Sequence, residues 1–290
     1  MAQRLTSRTP ITRVYRDTTA ARAESTVAPH TDEVSTSERV DTLAVEEPLQ
    51  IRIDGRDFVT TMRTPGNDFE LVHGLLHAEG IISRASDVAT MRYCGGAVGS
   101  DGYNTYNTID VELRATITSS SLPVRSVATT SACGICGTTS IDDVAKRSSY
   151  PISPVRPTPE FILSLPGLLH NNQNAFRRTG GIHAAGAVTY DGNLVVIRED
   201  VGRHNAADKV IGAMVMDDQL PAEHMYLVMT SRASFELVQK AVLAGFSGLV
   251  AVSAATSLAV ELARQTGFFL SGFTRENRFN LYNGSLEGID

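Results

Sequence analysis

Apolar and polar residues alternate through Leu49-Gln50-Ile51-Arg52-Ile53, Asp54-Gly55 follows, and the β-branched and aromatic run Phe58-Val59-Thr60-Thr61-Met62 returns. A strand that buries one face has this period of two, and Asp-Gly tolerates the positive φ angles of a two-residue turn, so the pattern predicts a β-hairpin. Thr64-Pro65-Gly66-Asn67-Asp68 then breaks the chain and supplies a cap. Phe69, Val72, Leu75 and Leu76 recur at helical spacing until Gly80 stops the helix. Strands are expected at Met91 to Tyr93 and Thr108 to Leu113. The succession describes a small α+β roll over residues 43 to 120. Residues 1 to 42 mix Thr, Ser, Ala and charges of both signs with almost no apolar periodicity, and read as a disordered tail.

The second half, 121 to 290, has a different rhythm. Pro151, Pro154, Pro157, Pro159 and Pro166 mark a connector with a short helix around Glu160 to Leu165. Gly186 to Tyr190 and Leu194 to Arg198 flank Asp191-Gly192 as a second hairpin. A helix from Asp200, its expected cap, runs to Met216. Thereafter strand and helix alternate: Tyr226 to Thr230, Ala233 to Ala244, Leu249 to Ser253, Ala255 to Gln265 and Phe268 to Phe273. This spacing predicts parallel βαβ units and a sheet covered on both faces, an α/β domain. Ala241 to Val260 carries no charge and has the length of a membrane span, but Gly245, Ser247, Gly248, Ser253, Thr256 and Ser257 divide it into a helix end, a buried strand and a new helix.

Composition narrows the class. The 290 residues are 42% hydrophobic and 20% charged with a net charge of −6, values of a globular rather than a disordered, fibrous or membrane protein. An acidic chain lacks the basic excess that neutralises a duplex, which argues against nucleic acid as a general partner. Of 26 basic side chains only Lys146, Lys209 and Lys240 are lysines, so arginines are plentiful for bidentate contacts to carboxylate or phosphate. Three cysteines, Cys94, Cys133 and Cys136, are an odd count for a disulfide framework, and the first 40 residues contain no apolar signal region. A reducing, cytoplasmic setting is expected.

Candidate chemistry falls in four clusters. Glycines follow both cysteines in Ala132-Cys133-Gly134-Ile135-Cys136-Gly137, which leaves the sulfurs on unhindered backbone. Three chemistries fit. A structural zinc site needs four ligands, for which only Cys94 and scattered histidines remain; a dithiol redox pair needs a strand-to-helix setting; a nucleophilic or sulfur-carrying thiol needs a group that favours its thiolate. The second cluster is Arg198-Glu199-Asp200-Val201-Gly202-Arg203-His204-Asn205, opening a helix on which His204 with Asp208, and Asn205 with Lys209, are i,i+4 pairs. Ser231-Arg232-Ala233-Ser234 and Ser253-Ala254-Ala255-Thr256-Ser257 occupy the same position after the next two strands. Such turns sit at the carboxyl edge of a sheet, where open α/β sheets bind ligands. Third is Gly180-Gly181-Ile182-His183-Ala184-Ala185, and fourth Phe273-Thr274-Arg275-Glu276-Asn277-Arg278, whose two arginines can clamp phosphate.

These motifs, in this order, resemble the formate dehydrogenase accessory sulfurtransferases, the FdhD sulfur carrier family. The resemblance runs from Met62-Arg63-Thr64-Pro65-Gly66 through His73-Gly74-Leu75-Leu76 and the cysteine pair to Glu199-Asp200-Val201-Gly202-Arg203-His204-Asn205, Ser231-Arg232-Ala233-Ser234 and Phe279-Asn280-Leu281-Tyr282. It implies a cytoplasmic homodimer that takes sulfur from a cysteine desulfurase as a persulfide on Cys133, with Cys136 as helper. The sulfur passes to the molybdenum cofactor, Mo-bis(molybdopterin guanine dinucleotide), before that cofactor enters formate dehydrogenase. It also implies a three-layer αβα C-terminal domain similar to the cytidine deaminase fold. His183-Ala184-Ala185 stands where a deaminase has its histidine and glutamate, and the missing acid argues against zinc-dependent deamination. Cofactor contacts are expected from Phe273, Thr274, Arg275, Glu276, Asn277 and Arg278, and from His183, Arg203, His204, Asn205, Ser231 and Arg232, with GDP as a fragment mimic. The chain departs from the family pattern at Glu276-Asn277, where many relatives have glycine; Arg275 and Arg278 stand beside that carboxylate as compensating cations. A cofactor-insertion chaperone without sulfur chemistry is the alternative.

Overall fold

The computed structural model describes residues 5–16, 34–94, 106–114 and 150–289. Both cysteines of the glycine-flanked pair lie outside the described residues.

The N-terminal roll is a four-stranded sheet of order β4-β3-β6-β5, made by β3 (Glu47–Ile53), β4 (Arg56–Arg63), β5 (Val88–Tyr93) and β6 (Thr108–Leu113), with helix α1 (Asp68–Ala78) against it. Asp54 and Gly55 both have positive φ, as the two-residue hairpin requires. Leu49, Ile51 and Ile53 point into the core and the polar positions between them do not, so the register follows the alternation in the sequence. Gly80, at φ +72, lets the amide of Ile81 turn back to the Leu76 carbonyl and end α1. The start of α1 differs from expectation. Asn67 precedes it in the left-handed conformation without a side-chain cap, and Asp68 instead pairs with Arg63.

The expected tail is in part ordered. Strands β1 (Thr6–Arg16) and β2 (Val34–Ala44) form an antiparallel ribbon in a continuous register from Thr6 opposite Ala44 to Arg16 opposite Val34. Threonine and valine fit an extended chain, and pairing alone organises these residues without a buried face, which is why apolar periodicity does not reveal them.

The second half forms a six-stranded sheet of order β12-β11-β10-β9-β7-β8, from β7 (His183–Thr189), β8 (Leu194–Asp200), β9 (Met225–Met229), β10 (Gly248–Ala251), β11 (Phe269–Arg275) and β12 (Arg278–Asn283). Only β9, β10 and β11 are parallel; β7, β8 and β12 run antiparallel to their neighbours. Helix α2 (Pro159–Asn172) covers one face through Ile162, Leu165 and Leu169, which pack on Val188, Tyr226 and Val250. It runs through Pro166, although a proline inside a helix removes a hydrogen bond. The three buried side chains on one stripe outweigh that loss, so the helix is longer than the prolines suggest. The short helix α3 (Asn174–Thr179) follows. The other face carries α4 (Arg203–Met216), α5 (Phe235–Leu243) and α6 (Ser257–Thr266), giving three layers. The charge-free stretch divides as its small residues predict, and among the described residues no helix is long and apolar enough to cross a membrane.

The two halves meet where α1 crosses α4. A Cβ on Gly74 would lie 2.6 Å from the carbonyl carbon of Asp208, and one on Gly212 would lie 2.6 Å from that of Glu70. These glycines let the two backbones touch. Arg198 of β8 closes the same seam with a bidentate pair to Glu70, 2.7 Å on its Nη2 side.

Candidate functional site

In the six-stranded sheet the parallel strands β9, β10 and β11 all end at one edge, β8 ends there too, and antiparallel β7 begins there. Every described residue expected to hold the cofactor belongs to a segment that begins or ends at that edge. Arg203, His204 and Asn205 open α4 after β8; Ser231 and Arg232 follow β9; His183 begins β7; Phe273 to Arg278 close the β11–β12 hairpin. From the β8–α4 turn to that hairpin is four inter-strand spacings of about 4.8 Å, roughly 19 Å. An elongated ligand fits this span better than a small one.

The cations are concentrated at the β8 and β9 ends. Arg203 has a buried Nε that meets no hydrogen-bond partner among the described residues. Burial pushes its guanidinium below the ordinary arginine range, the nearby Arg232 guanidinium adds to this, and Glu236 opposes it. Burial likewise lowers His183, Arg203 and His204 reinforce the effect, and Asp200 opposes it. Like charges brought together with one donor unused form an arrangement that an anion would relieve. Helices α4, α5 and α6 begin at this edge after Gly202, Ser234 and Thr256, and none of the three has a side-chain cap. Their first amides therefore add partial positive charge to the same edge. In contrast, α2 is capped by Thr158 and the first amides of α3 are taken by Glu199, at 2.8 Å each.

At the far end, residues 273 to 278 are not a loop but a hairpin with Glu276-Asn277 as its turn and Arg275 opposite Arg278. The strand carries a bulge between Gly272 and Arg275, and Phe273 sits there at φ +52, exposed, its amide donating to the Ser253 carbonyl at 2.9 Å. A non-glycine residue in the left-handed region is a strained position of a kind that clusters at functional sites. Thr274 is buried beneath it, and Arg275 donates to the Val252 carbonyl, so the hairpin base is tied to the end of β10. Glu276, Asn277 and Arg278 are exposed.

Not all the predicted residues face the edge. Asn205 is buried, with its amide nitrogen 3.1 Å from Asp200 and 2.7 Å from the Met62 carbonyl, so it belongs to the seam between the halves. Ser231 is also buried, and donates to the Arg232 carbonyl. Asp200 ends β8 and does not cap α4; its carboxylate accepts from the Gly202 amide instead. The expected i,i+4 pairs on α4 are not made either. His204 reaches across to Glu236, with 2.9 Å between Nε2 and Oε2, and Asp208 to Lys240 at 2.7 Å, two rungs between α4 and α5. Lys209 turns inward to Asp200 at 2.7 Å. Sequence reasoning missed Glu236, although its spacing of four from Lys240 matches the spacing of His204 from Asp208. Among the described residues no group of three or more His, Cys, Asp or Glu side chains is placed to hold a metal ion.

Cys94, the remaining thiol, is away from this edge beside β6. It donates to Asp110 at 2.6 Å, and burial together with that carboxylate raises its pKa.

Three comparisons bear on this geometry. Residues 44–287 match the family model described as FdhD/NarQ family. A sulfur carrier protein FdhD from Corynebacterium efficiens is 56% identical over 252 residues, which is 86% of this chain and 91% of that protein. One of the same name from Nocardia farcinica is 49% identical, over 85% of this chain and 88% of its own. The crystal structure of a protein described as a formate dehydrogenase accessory protein, from Desulfotalea psychrophila, superposes with a TM-score of 0.66 at 20% identity, over 96% of this chain and 97% of that one, which establishes the shared fold. With the family's match extending from the end of the β1–β2 ribbon to beyond the last strand, the chain belongs to the FdhD/NarQ family.

Proposed function

We propose that this chain is a sulfur carrier and sulfurtransferase serving formate dehydrogenase. Cys133 accepts sulfur from a cysteine desulfurase as a persulfide and passes it to Mo-bis(molybdopterin guanine dinucleotide), which is the substrate bound at the carboxyl edge of the sheet. The observation that carries this reading is Arg203, whose buried Nε meets no partner among the described residues and which has the Arg232 guanidinium nearby, on the same edge as the Phe273–Arg278 hairpin, in a chain whose relatives are named sulfur carriers. The pair suits a pyrophosphate group and the hairpin suits the guanine end of a dinucleotide.

In the first step the Cys133 thiolate attacks the outer sulfur of the desulfurase persulfide. A new S–S bond forms on Cys133 as the donor's S–S bond breaks, and the donor cysteine leaves as a thiolate, so no external oxidant is consumed. A free thiol with a pKa of about 8.5 is only a few per cent thiolate at pH 7, so the step calls for a neighbouring cation that favours the thiolate. In the second step the Cys136 thiolate attacks the Cys133 sulfur, the outer sulfur leaves as sulfide to the bound cofactor, and the Cys133–Cys136 disulfide that forms accounts for the two electrons. Action in the cytoplasm as a homodimer belongs to the same reading.

Intact-mass analysis after incubation with a cysteine desulfurase and cysteine tests it. A one-sulfur adduct is expected on the wild type and not on Cys133→Ala; no adduct, or one that survives the substitution, overturns the assignment. Activation of formate dehydrogenase in a deletion strain by the Cys133→Ser, Cys136→Ser double variant would instead favour an insertion chaperone. Arg278→Ala should weaken GDP binding in calorimetry, and unchanged affinity would remove the hairpin from the site.

A further inference from the structure

The turn that carries Arg203 is held by a part of the chain more than a hundred residues away. Asp200 is fully buried and both its oxygens are occupied twice. Oδ2 accepts from the Lys209 ammonium at 2.7 Å and from the Thr64 amide at 3.1 Å; Oδ1 accepts from the Gly202 amide at 2.8 Å and from the Asn205 side chain at 3.1 Å. Thr64 binds the turn twice more, its carbonyl taking Lys209 at 2.8 Å and its hydroxyl taking the Val201 amide at 3.2 Å. Gly202 has no room for a side chain here, since a Cβ would lie 2.9 Å from the Asn205 amide nitrogen.

Thr64 is itself rigidly mounted. The preceding residue, Arg63, is fully buried and forks onto Asp68 at 3.1 and 3.0 Å, with Glu47 at 3.2 Å and Asn107 at 3.1 Å as further partners. The N-terminal roll thus presents one fixed corner, and the β8–α4 turn is moulded on it. A buried ion pair of this kind contributes little net stability compared with a well-packed apolar pair, whereas four directed bonds on one carboxylate define where the adjoining backbone lies. Arg203 begins at the next residue, and a displacement of about 1 Å is enough to spoil a preorganised anion site.

We infer that Thr64 and Lys209 are positioning residues for the anion-binding turn, so that the N-terminal roll is an obligatory part of the site. The inference rests on the reading of that edge as a phosphate site. Full-length Thr64→Val removes the hydroxyl that receives the Val201 amide at nearly constant volume, and Thr64→Ser restores it. With GDP as probe in calorimetry, Thr64→Val is expected to raise Kd at least tenfold and Thr64→Ser to stay within twofold of wild type. Hydrogen exchange at the Val201 amide should quicken in the valine variant alone.

Wild-type affinity and unchanged Val201 protection in Thr64→Val would overturn the inference. If that variant does not fold, the wild-type protein decides: Val201 and Gly202 amides that exchange as slowly as the β8 amides uphold the moulded turn, and exchange at the rate of an open loop refutes it. Absence of GDP binding by the wild type would defeat the phosphate reading itself, while the exchange comparison would still judge the turn.

Discussion

Where α1 crosses α4, Gly74 and Gly212 bring two backbones into contact, and Lys209, Asn205 and Thr64 all bond to the buried Asp200 carboxylate. Three residues beyond Asp200, Arg203 enters the carboxyl edge of the sheet with a buried nitrogen that meets no partner among the described residues and Arg232 for a neighbour. The stretch from Asp200 to Lys209 therefore serves both regions, with Asp200, Asn205 and Lys209 turned toward the seam and Arg203 and His204 toward the edge. The difference separates polarity satisfied inside the fold from polarity left open at the edge. In the Asp200 cluster the buried carboxylate and ammonium have partners inside the protein, which is the condition for burying them; at the edge the Arg203 Nε has none among the described residues, a condition that favours recruiting a ligand.

Perturbing the seam should cost far more stability than perturbing the edge. Lys209→Met leaves the Asp200 carboxylate buried without its cation and is expected to lower the unfolding free energy by about 3–5 kcal/mol, read from the denaturant midpoint. A loss below about 1 kcal/mol would mean that solvent enters the seam. Gly212→Ala should come next, at about 3 kcal/mol, even though alanine is the better helix former by about 1 kcal/mol, because its methyl group must force the helices apart. A stabilised Gly212→Ala variant would show that the crossing is looser than described.

Acid provides a third test. Burial first, and the Lys240 ammonium second, push His77 down to about 4. Its unfolded value is about 6.5, so below that pH the unfolded chain binds a proton that the folded chain refuses. Stability should fall as the pH drops from about 6.5 toward 4, by at most about 3 kcal/mol, and then level off for this group. His77→Leu should flatten that part of the profile; an unchanged slope would assign the loss to other groups. The smallest effect on stability belongs to the edge. Arg232→Ala relieves repulsion on Arg203 and is expected to change stability by no more than about 0.5 kcal/mol while weakening GDP binding in calorimetry. A large loss of stability there would erase the contrast between the two regions.

Local pattern made much of this architecture legible. The Asp54-Gly55 hairpin, the helix stopped by Gly80 and the alternation from β9 to β11 follow from periodicity and turn chemistry, and the motif order pointed to the family. Elements held by partners distant in sequence were harder to read. The β1–β2 ribbon has no buried face to pattern its residues, α2 passes Pro166 because of a sheet beneath it, and the 273–278 hairpin shows no alternation because its base is a bulge. Of the candidate site residues, Arg203, Arg232 and the hairpin lie at the edge where turns after strands were expected to bring them, and His183 lies there at the start of β7, whereas Asn205 and Ser231 are diverted to buried contacts.

The sequence by itself determined the Asp54-Gly55 hairpin, the helix stopped by Gly80, the alternation from β9 to β11, which turns arrive together at the carboxyl edge, and which family the motifs resemble, since each is written within a few residues or in the order of motifs. Only the tertiary structure decided what the charged side chains do. The pairs His204 with Glu236, Asp208 with Lys240 and Lys209 with Asp200, and the hold of Thr64 on the β8–α4 turn, were open among several local alternatives at i,i+4 spacing. Burial chose between them, because a charge removed from water is tolerated only where the fold delivers its partner.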